Sequence, residues 1–469
     1  MLAPSLWSGF EALAGEGVLG WLAPGLVVAL VALLAAAAAR AVAEETVGRA
    51  VRALLLAVAA LAAVYVVAGL ALGTTALGVL GGVIQRFWPV WVALAVTLGG
   101  GWFVRGRLGQ LGRLWDSRIG LIGLGLTLFW IFTAIFADLI AVMGPLEQSF
   151  TFGVKKAAPG AIDAENGVVF LFGGDNLARD VFSRVVYGSQ VVLIIAPVAT
   201  LIAYMVGATL GLPAGYYTGS VDTAMSFIAN LVLAFPVILL FYLLVTPEVR
   251  QPVFVDLWLF EVPWSIPIAM AAVFFLFPIV FLCMMWFTKY EKAPVKLGLF
   301  LLVTVALGLW VYLGLVFNAD PFGVLSLDPN ELNVFAAVVF VSSPAIFRIV
   351  RGLTLDIKTR DYVAAAQTRG ERPWYIMLWE ILPNARGPLI VDFCLRIGYT
   401  TILLGTLGFF GLGLQPESPD WGTMINHGRP FVRLADTMHI ALFPALALMS
   451  LVLGLNLLAD GMREESLKD

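Results

Sequence analysis

Charge is scarce in this chain. Only 13% of its 469 residues are Asp, Glu, Lys or Arg, 61% are hydrophobic, and the mean hydropathy is +0.95. A soluble domain carries about 25% charged residues, so water is not the solvent for most of the chain. Histidine and cysteine are nearly missing, with two of each. His427 and His439 are far apart and have no acidic partner at ligand spacing, so they read as surface or interface residues rather than metal ligands. Cys283 and Cys394 sit singly in apolar runs, which argues against a disulfide or a cysteine metal site. No GxxxxGK[ST] loop is present to cradle phosphates, and no GxSxG turn presents a nucleophile. The expectation is a chain that performs no covalent chemistry and neither binds nor hydrolyses ATP. The N-terminus has no basic stretch of the kind that opens a cleavable signal peptide. The net charge of −3 points to no partner.

The apolar residues come in long continuous stretches. A transmembrane barrel would show segments of about ten residues with alternating polarity, so the reading is an all-α polytopic membrane protein. Requiring about twenty apolar residues for each crossing gives about eleven spans: 20–40, 51–73, 87–104, 118–142, 189–215, 222–246, 265–288, 296–318, 332–351, 387–412 and 437–459. Lys and Arg collect in the loops around Arg40–Arg52, Arg105–Arg118, Lys289–Lys296 and Arg348–Arg386. These loops alternate correctly if all are cytoplasmic. The predicted topology then has the N-terminus outside and the C-terminus inside. The segment 143–188 becomes external, with mixed charge and no regular pattern.

Small residues mark candidate helix contacts. Gly207, Gly211 and Gly215 form overlapping GxxxG units, and Gly405, Gly408 and Gly411 recur every third residue. Close backbone approach is one reading; general glycine enrichment in membrane helices is the other. Asp392 and Arg396 stand one turn apart in an apolar run, either lining a polar pathway or forming a neutralised pair near the interface. Unpaired carboxylates in mid-span are scarce, which counts against a proton-driven carrier.

The most polar stretch between two apolar runs is RDYVAAAQTRGERPWYIMLWEILPN, residues 360–384. Residues 357–369 favour a helix, Gly370 supplies a left-handed end, and Pro373 suits the first turn of a second helix over 373–382. That second helix is apolar around nearly its whole circumference and too short to cross a bilayer. It is either an exposed face for a partner or an interfacial helix packed on its own bundle. Pro383 is expected to stop it.

The stretch resembles the cytoplasmic EAA loop of ATP-binding-cassette (ABC) importer permeases. Ala364-Ala365-Ala366, then Gly370, then Ile381-Leu382-Pro383 fall at the places of that pattern. Ala364 stands where the family has Glu, with Asp361 one turn upstream as a substitute. GGDNLARDVFSRVVYG, residues 173–188, is similar to a stretch of the C-type permease subunit of dipeptide and oligopeptide importers. Gly174, Asp175, Arg179, Asp180, Ser183, Arg184 and Gly188 match it, and Ala178 replaces a Gly. The segments 211–236, 408–429 and 456–464 continue the likeness in order.

The resemblance covers about 118–246 and 332–469. It implies a six-span type I importer core plus about five additional helices. The implied domains are an N-terminal extension (1–117), a first core part (118–246), an inserted two-helix hairpin (247–331) and a second core part (332–469). It implies a permease, not an enzyme, in a bacterial or archaeal cytoplasmic membrane. Its partners would be a second permease subunit in a heterodimer, two cytoplasmic ATPase subunits that hold ATP and Mg, an external solute-binding protein and membrane lipid. No nucleic acid and no cofactor on this chain are expected. Asp361, Ala365, Ala366, Gly370, Trp374, Leu378, Trp379 and Pro383 would couple to the ATPases. Asp175, Arg179, Asp180, Ser183 and Arg184 would lie in an external or interfacial segment. The implied cargo is di- or oligopeptides, with nickel, opines or other small solutes as alternatives, and the sequence marks no cargo pocket. A secondary transporter driven by an ion gradient, with the polar loop a mere connector, is the competing class.

Overall fold

In a hydrocarbon solvent every backbone N–H and C=O needs a partner within the chain, and a helix supplies one residue by residue. The computed structural model describes residues 78–107, 109, 111–151, 153–163, 167–245, 253–257, 260–320, 322–323, 329–412, 415, 417–434 and 436–466. The expected spans at 20–40 and 51–73 lie outside these residues. In chain order the elements are α1 (Gly78–Arg86), α2 (Trp88–Val104), α3 (Arg118–Ile135), β1 (Ala161–Asp163), β2 (Val168–Phe170), α4 (Val181–Tyr217), α5 (Ser220–Ala234) and α6 (Val237–Val245). They continue with β3 (Val253–Leu257), β4 (Phe260–Trp264), α7 (Ile266–Phe274), α8 (Leu276–Tyr290), α9 (Pro294–Phe317), α10 (Pro329–Ile357), α11 (Asp361–Thr368), α12 (Arg386–Phe409), α13 (Trp421–Gly428) and α14 (His439–Ser466).

Among the described residues, 7 helices are long and apolar enough to cross a membrane, or 8 if a bent pair counts as one span. The bent pair corrects the continuous span expected at 222–246. α5 and α6 meet at 88° across Phe235–Pro236. Pro236 removes a backbone donor and forces Phe235 into an extended conformation, with ψ 138°. Hydropathy does not register this break, because both arms remain apolar. The span expected at 265–288 is found as one candidate crossing, Ile268–Tyr290, with a single-residue interruption at Phe275 between α7 and α8. α4 starts at Val181, earlier than expected, and α3 ends at Ile135, before a short helix Ala137–Ile140. The stretch 143–188, whose sequence shows no regular pattern, contains the antiparallel β1–β2 pair, with Ala161 opposite Phe170 and Asp163 opposite Val168.

The chain divides into two compact units. The first comprises Met1–Phe103, Leu128–Val191 and Glu417–Ser450. Its core gathers Phe87, between α1 and α2, and Val90 of α2 with Ala137, Ile140, Leu171, Phe182 and Val186. α2 is thereby anchored on the short helix Ala137–Ile140 and on the first turns of α4. Phe87 meets the Phe182 ring edge-on at 5.6 Å.

The second unit comprises Val104–Thr127, Val192–Pro416 and Leu451–Asp469. Here the first glycine series makes close contacts. A Cβ on Gly207 would lie 2.6 Å from Ile346 Cγ2, one on Gly211 3.0 Å from Phe347 O, and one on Gly215 2.8 Å from Arg351 O. α4 therefore lies against α10 backbone to backbone. The second series behaves differently. Gly405 and Gly408 are buried on α12, but Gly411 lies past its end at φ 70°, where Leu412 N donates to Leu407 O at 2.9 Å in a Schellman cap. A tighter crossing falls where the sequence reading placed none. A Cβ on Gly123 of α3 would stand 2.6 Å from the Leu457 carbonyl carbon and 2.8 Å from Leu458 Cα of α14.

Candidate functional site

Asp175, Arg179, Asp180, Ser183 and Arg184 come together in the first unit, each 5% exposed or less. Buried charge is tolerated only when paired and hydrogen-bonded, and this cluster is. Asp175 Oδ1 accepts from the backbone N–H groups of Leu177 at 2.7 Å and Arg179 at 2.9 Å. Its Oδ2 accepts from Arg179 Nε at 2.7 Å. Asp180 precedes α4 and caps it: Oδ2 accepts from Ser183 N at 2.9 Å and from Ser183 Oγ at 2.6 Å. Burial pushes the Asp180 carboxyl up to about 6, against the pull of those donors. Ser183 Oγ in turn accepts from Val142 N and Met143 N at 3.0 and 3.2 Å. Arg184 donates to Pro145 O at 2.7 Å and Ser418 O at 3.0 Å. Its five-donor fork joins segments remote in sequence. No member is displayed for a ligand, so the cluster acts as a buried clasp.

The turn inside the clasp gives one departure from the resembled motif a conformational cost. Ala178 has φ 60°, the left-handed region that favours glycine. The family's Gly suits that conformation, whereas Ala strains it. Ala178→Gly is therefore expected to raise stability by about 1 kcal/mol. The unfolding midpoint of the purified chain in detergent measures it, and an unchanged or lowered midpoint contradicts it.

His439 corrects the expectation of a surface histidine. It is fully buried, with Nδ1 3.0 Å from Asp436 O and Nε2 3.1 Å from Gly174 O. Asp392 and Arg396 pair at 2.7 Å, and Tyr204 Oη also donates to Asp392, so the pair cross-links α12 to α4.

The polar loop belongs to the second unit. α10 runs through to Ile357, so the first loop helix is only α11, Asp361–Thr368. Gly370 has φ 77°, and Glu371 N donates to Ala366 O at 3.2 Å, which makes Gly370 the left-handed residue of a Schellman end. A Cβ there would meet nothing within 4 Å, so the conformation alone demands glycine. Pro373–Tyr375 begins the second loop helix, Ile376–Ile381 is π-helical, and Leu382–Asn384 completes it. The expected stop at Pro383 does not occur. Pro383 has no N–H for the preceding turn, and the helix widens ahead of it: Leu382 N donates to Met377 O, five residues back.

Several contacts hold the loop. Lys358 Nζ donates to Gly215 O at 2.9 Å, and Gln367 Nε2 to Tyr216 Oη at 3.2 Å, tying it to the end of α4. Arg369 pairs with Glu380 at 3.0 Å across the Gly370 bend. The α8–α9 hairpin adds three more contacts. Trp379 Nε1 donates to Thr288 Oγ1 at 3.0 Å, Lys289 Nζ lies 4.8 Å over the Trp379 ring, and Arg372 pairs with Glu291 at 2.7 Å.

This geometry decides between the two sequence readings of the second loop helix. Ile376, Met377, Leu378 and Ile381 are buried within the chain, and Trp374 and Trp379 are half-buried. Leu378 accordingly presents no face to a partner. Asp361, Ala365, Gly370 and Pro383 are exposed, whereas Ala366 is buried. The free surface of the loop is thus mainly α11 and the Gly370 turn. Hydrophobicity pointed to the second helix because the sequence does not reveal that α8 and its own bundle cover it.

Residues 293–464 match the family described as binding-protein-dependent transport system inner membrane component. The glutathione transport system permease protein of Pectobacterium atrosepticum is 30% identical over 292 residues, 62% of this chain and 70% of that protein. The chain belongs to this permease family. The dipeptide transport system permease proteins of Haemophilus influenzae and Alkalihalophilus pseudofirmus are each 27% identical. The matches cover 74% of this chain and 90% of the first, and 75% of this chain and 86% of the second. The permease is a multi-pass membrane subunit of an ABC importer, and this membership favours that class over an ion-driven carrier.

Proposed function

We propose that this permease forms part of the translocation path for di- or oligopeptides delivered by an external solute-binding protein. It works in a heterodimer with a second permease subunit, driven by two ATPase subunits that carry the ATP and Mg. The cargo reading is supported by relatives named for dipeptide and glutathione transport. This chain supplies a path and a mechanical contact, with no cofactor of its own. The N-terminus is outside and the C-terminus cytoplasmic, a reading supported by the basic loops. Residues 1–117 and 247–331 are additions to a core of 118–246 and 332–469. A single cysteine placed at Lys292 tests the orientation in intact cells: an impermeant maleimide should fail to label it, and ready labelling refutes the topology.

The observation that carries the coupling role is the exposed α11–Gly370 turn, fixed at one end to α4 and at the other to α8. A short helix that receives a push transmits it only if its base is rigid. Asp361, Ala365 and Gly370 lie on the receiving surface, while Ala366, Leu378, Trp374 and Trp379 seat it and Pro383 leads into α12. Ala365→Trp should leave insertion and stability unchanged, because an exposed helix position tolerates substitution within about 0.5 kcal/mol. It should nevertheless block docking. Gly370→Val strains the left-handed turn by roughly 1 kcal/mol or more and tilts the second helix. ATPase co-purification and ATP-dependent peptide uptake should fall together in both variants. If both retain their ATPases and transport at the wild-type rate, the loop is only a connector.

A further inference from the structure

An open groove of about 840 Å³ lies between α8, Leu301 of α9 and residues 371–375 of the loop. Clefts of this size accommodate small organic ligands. Its two ends differ in chemistry. Ile279, Val280, Cys283 and Leu301 line one end, whereas Lys289, Lys292 and Arg372 stand at the other beside Glu291 and Glu371. Helical rise places Ile279 about 16 Å from Tyr290 along α8, a distance suited to an extended acyl chain.

The position of the groove relative to the bilayer follows from its walls. α8 and α9 belong to candidate spans whose apolar windows are only 11% buried, so most of both faces away from the rest of the chain. Near their shared turn stand Trp286, Tyr290, Trp374 and Tyr375, the amphipathic rings that collect at headgroup level. Trp286 and Tyr290 both stack on Phe300, at 4.7 and 5.1 Å. The apolar end of the groove therefore faces the hydrocarbon and its charged end the headgroups. Charge selects among lipids. Arg372 and Glu291 neutralise each other at 2.7 Å, leaving Lys289 and Lys292 against Glu371. Lys296, in the first turn of α9, adds a further positive charge nearby.

We propose that this groove binds one anionic phospholipid, with its phosphate at Lys289 and Lys292 and an acyl chain along Ile279, Val280, Cys283 and Leu301. The lipid lies between the hairpin and the loop that the hairpin grips. The binding does not depend on the coupling role assigned to that loop, so the test reads lipid alone.

The test is native mass spectrometry of the purified full-length chain, delipidated and titrated with phosphatidylglycerol or with phosphatidylcholine. One phosphatidylglycerol should be retained in preference to phosphatidylcholine. Lys289→Gln and Lys292→Gln should each lower its retention about fivefold, the weight of one basic side chain near an anionic surface. Cys283→Trp, which fills the apolar end, should abolish it. The lysine variants change exposed side chains and keep the test valid if Cys283→Trp folds poorly. Equal retention of phosphatidylcholine, or phosphatidylglycerol retention that neither lysine substitution reduces, overturns the proposal.

Discussion

Arg184→Ala should leave little folded permease. The wild-type guanidinium is 1% exposed and donates to Pro145 O and Ser418 O, with Glu417 O at 3.4 Å and the Asp175 carboxylate at 4.0 Å. Truncation strands those carbonyls and leaves Asp175 with Arg179 as its remaining basic partner. Removing one member of a buried, hydrogen-bonded charge cluster costs about 3–5 kcal/mol. Against a total of roughly 5–15 kcal/mol for a folded protein, that is a large share. Arg184→Lys should be only partly better, because one ammonium on a flexible stem cannot reproduce the planar fork. The readouts are the monodisperse fraction on size exclusion in detergent and the unfolding midpoint. A wild-type midpoint for Arg184→Ala would show that the clasp does not stabilise the first unit.

Gly123→Leu should also be severely destabilising, through sterics. The Cβ position of Gly123 points at the backbone of Leu457 and Leu458, which cannot rotate away as a side chain can. Overpacking a tight contact costs about 1–3 kcal/mol and more when the main chain must move, so α3 and α14 should part locally. Gly125 on the same helix is the internal control, since a Cβ there meets nothing within 4 Å. Gly125→Leu should stay within about 0.5 kcal/mol of wild type and gain helix propensity. Equal behaviour of the two variants would mean that glycine content, not this crossing, governs the stability of α3.

Much of the molecule is legible in its sequence. Hydropathy placed most of the crossing helices, because a bilayer imposes a length and an apolar composition that a linear scan detects. The left-handed turn at Gly370 was legible because glycine uniquely relieves a local backbone strain. The motif residues around Asp175 were recognisable by resemblance, although their common burial was not. Ala178 was visible only as an exception to the family pattern, and its positive φ gave the exception a meaning.

The remaining features depend on neighbours distant in sequence. In a membrane, lipid-facing and bundle-facing surfaces are both apolar, so hydrophobicity does not reveal which face meets protein. For this reason the sequence left the second loop helix open between an exposed face and a packed one, whereas Ile376, Met377, Leu378 and Ile381 are buried and Trp379 is held by Thr288. For the same reason the close helix crossing at Gly123 went unnoticed, and the 88° bend between α5 and α6 was hidden within one apolar stretch. Sequence determined the solvent, the crossing segments and the local turns, since these depend on composition and on single-residue backbone preferences. Tertiary packing decided which loop surface remains free for a partner and how Arg184 and the hairpin hold their segments, since those outcomes depend on contacts between residues from about forty to more than two hundred positions apart.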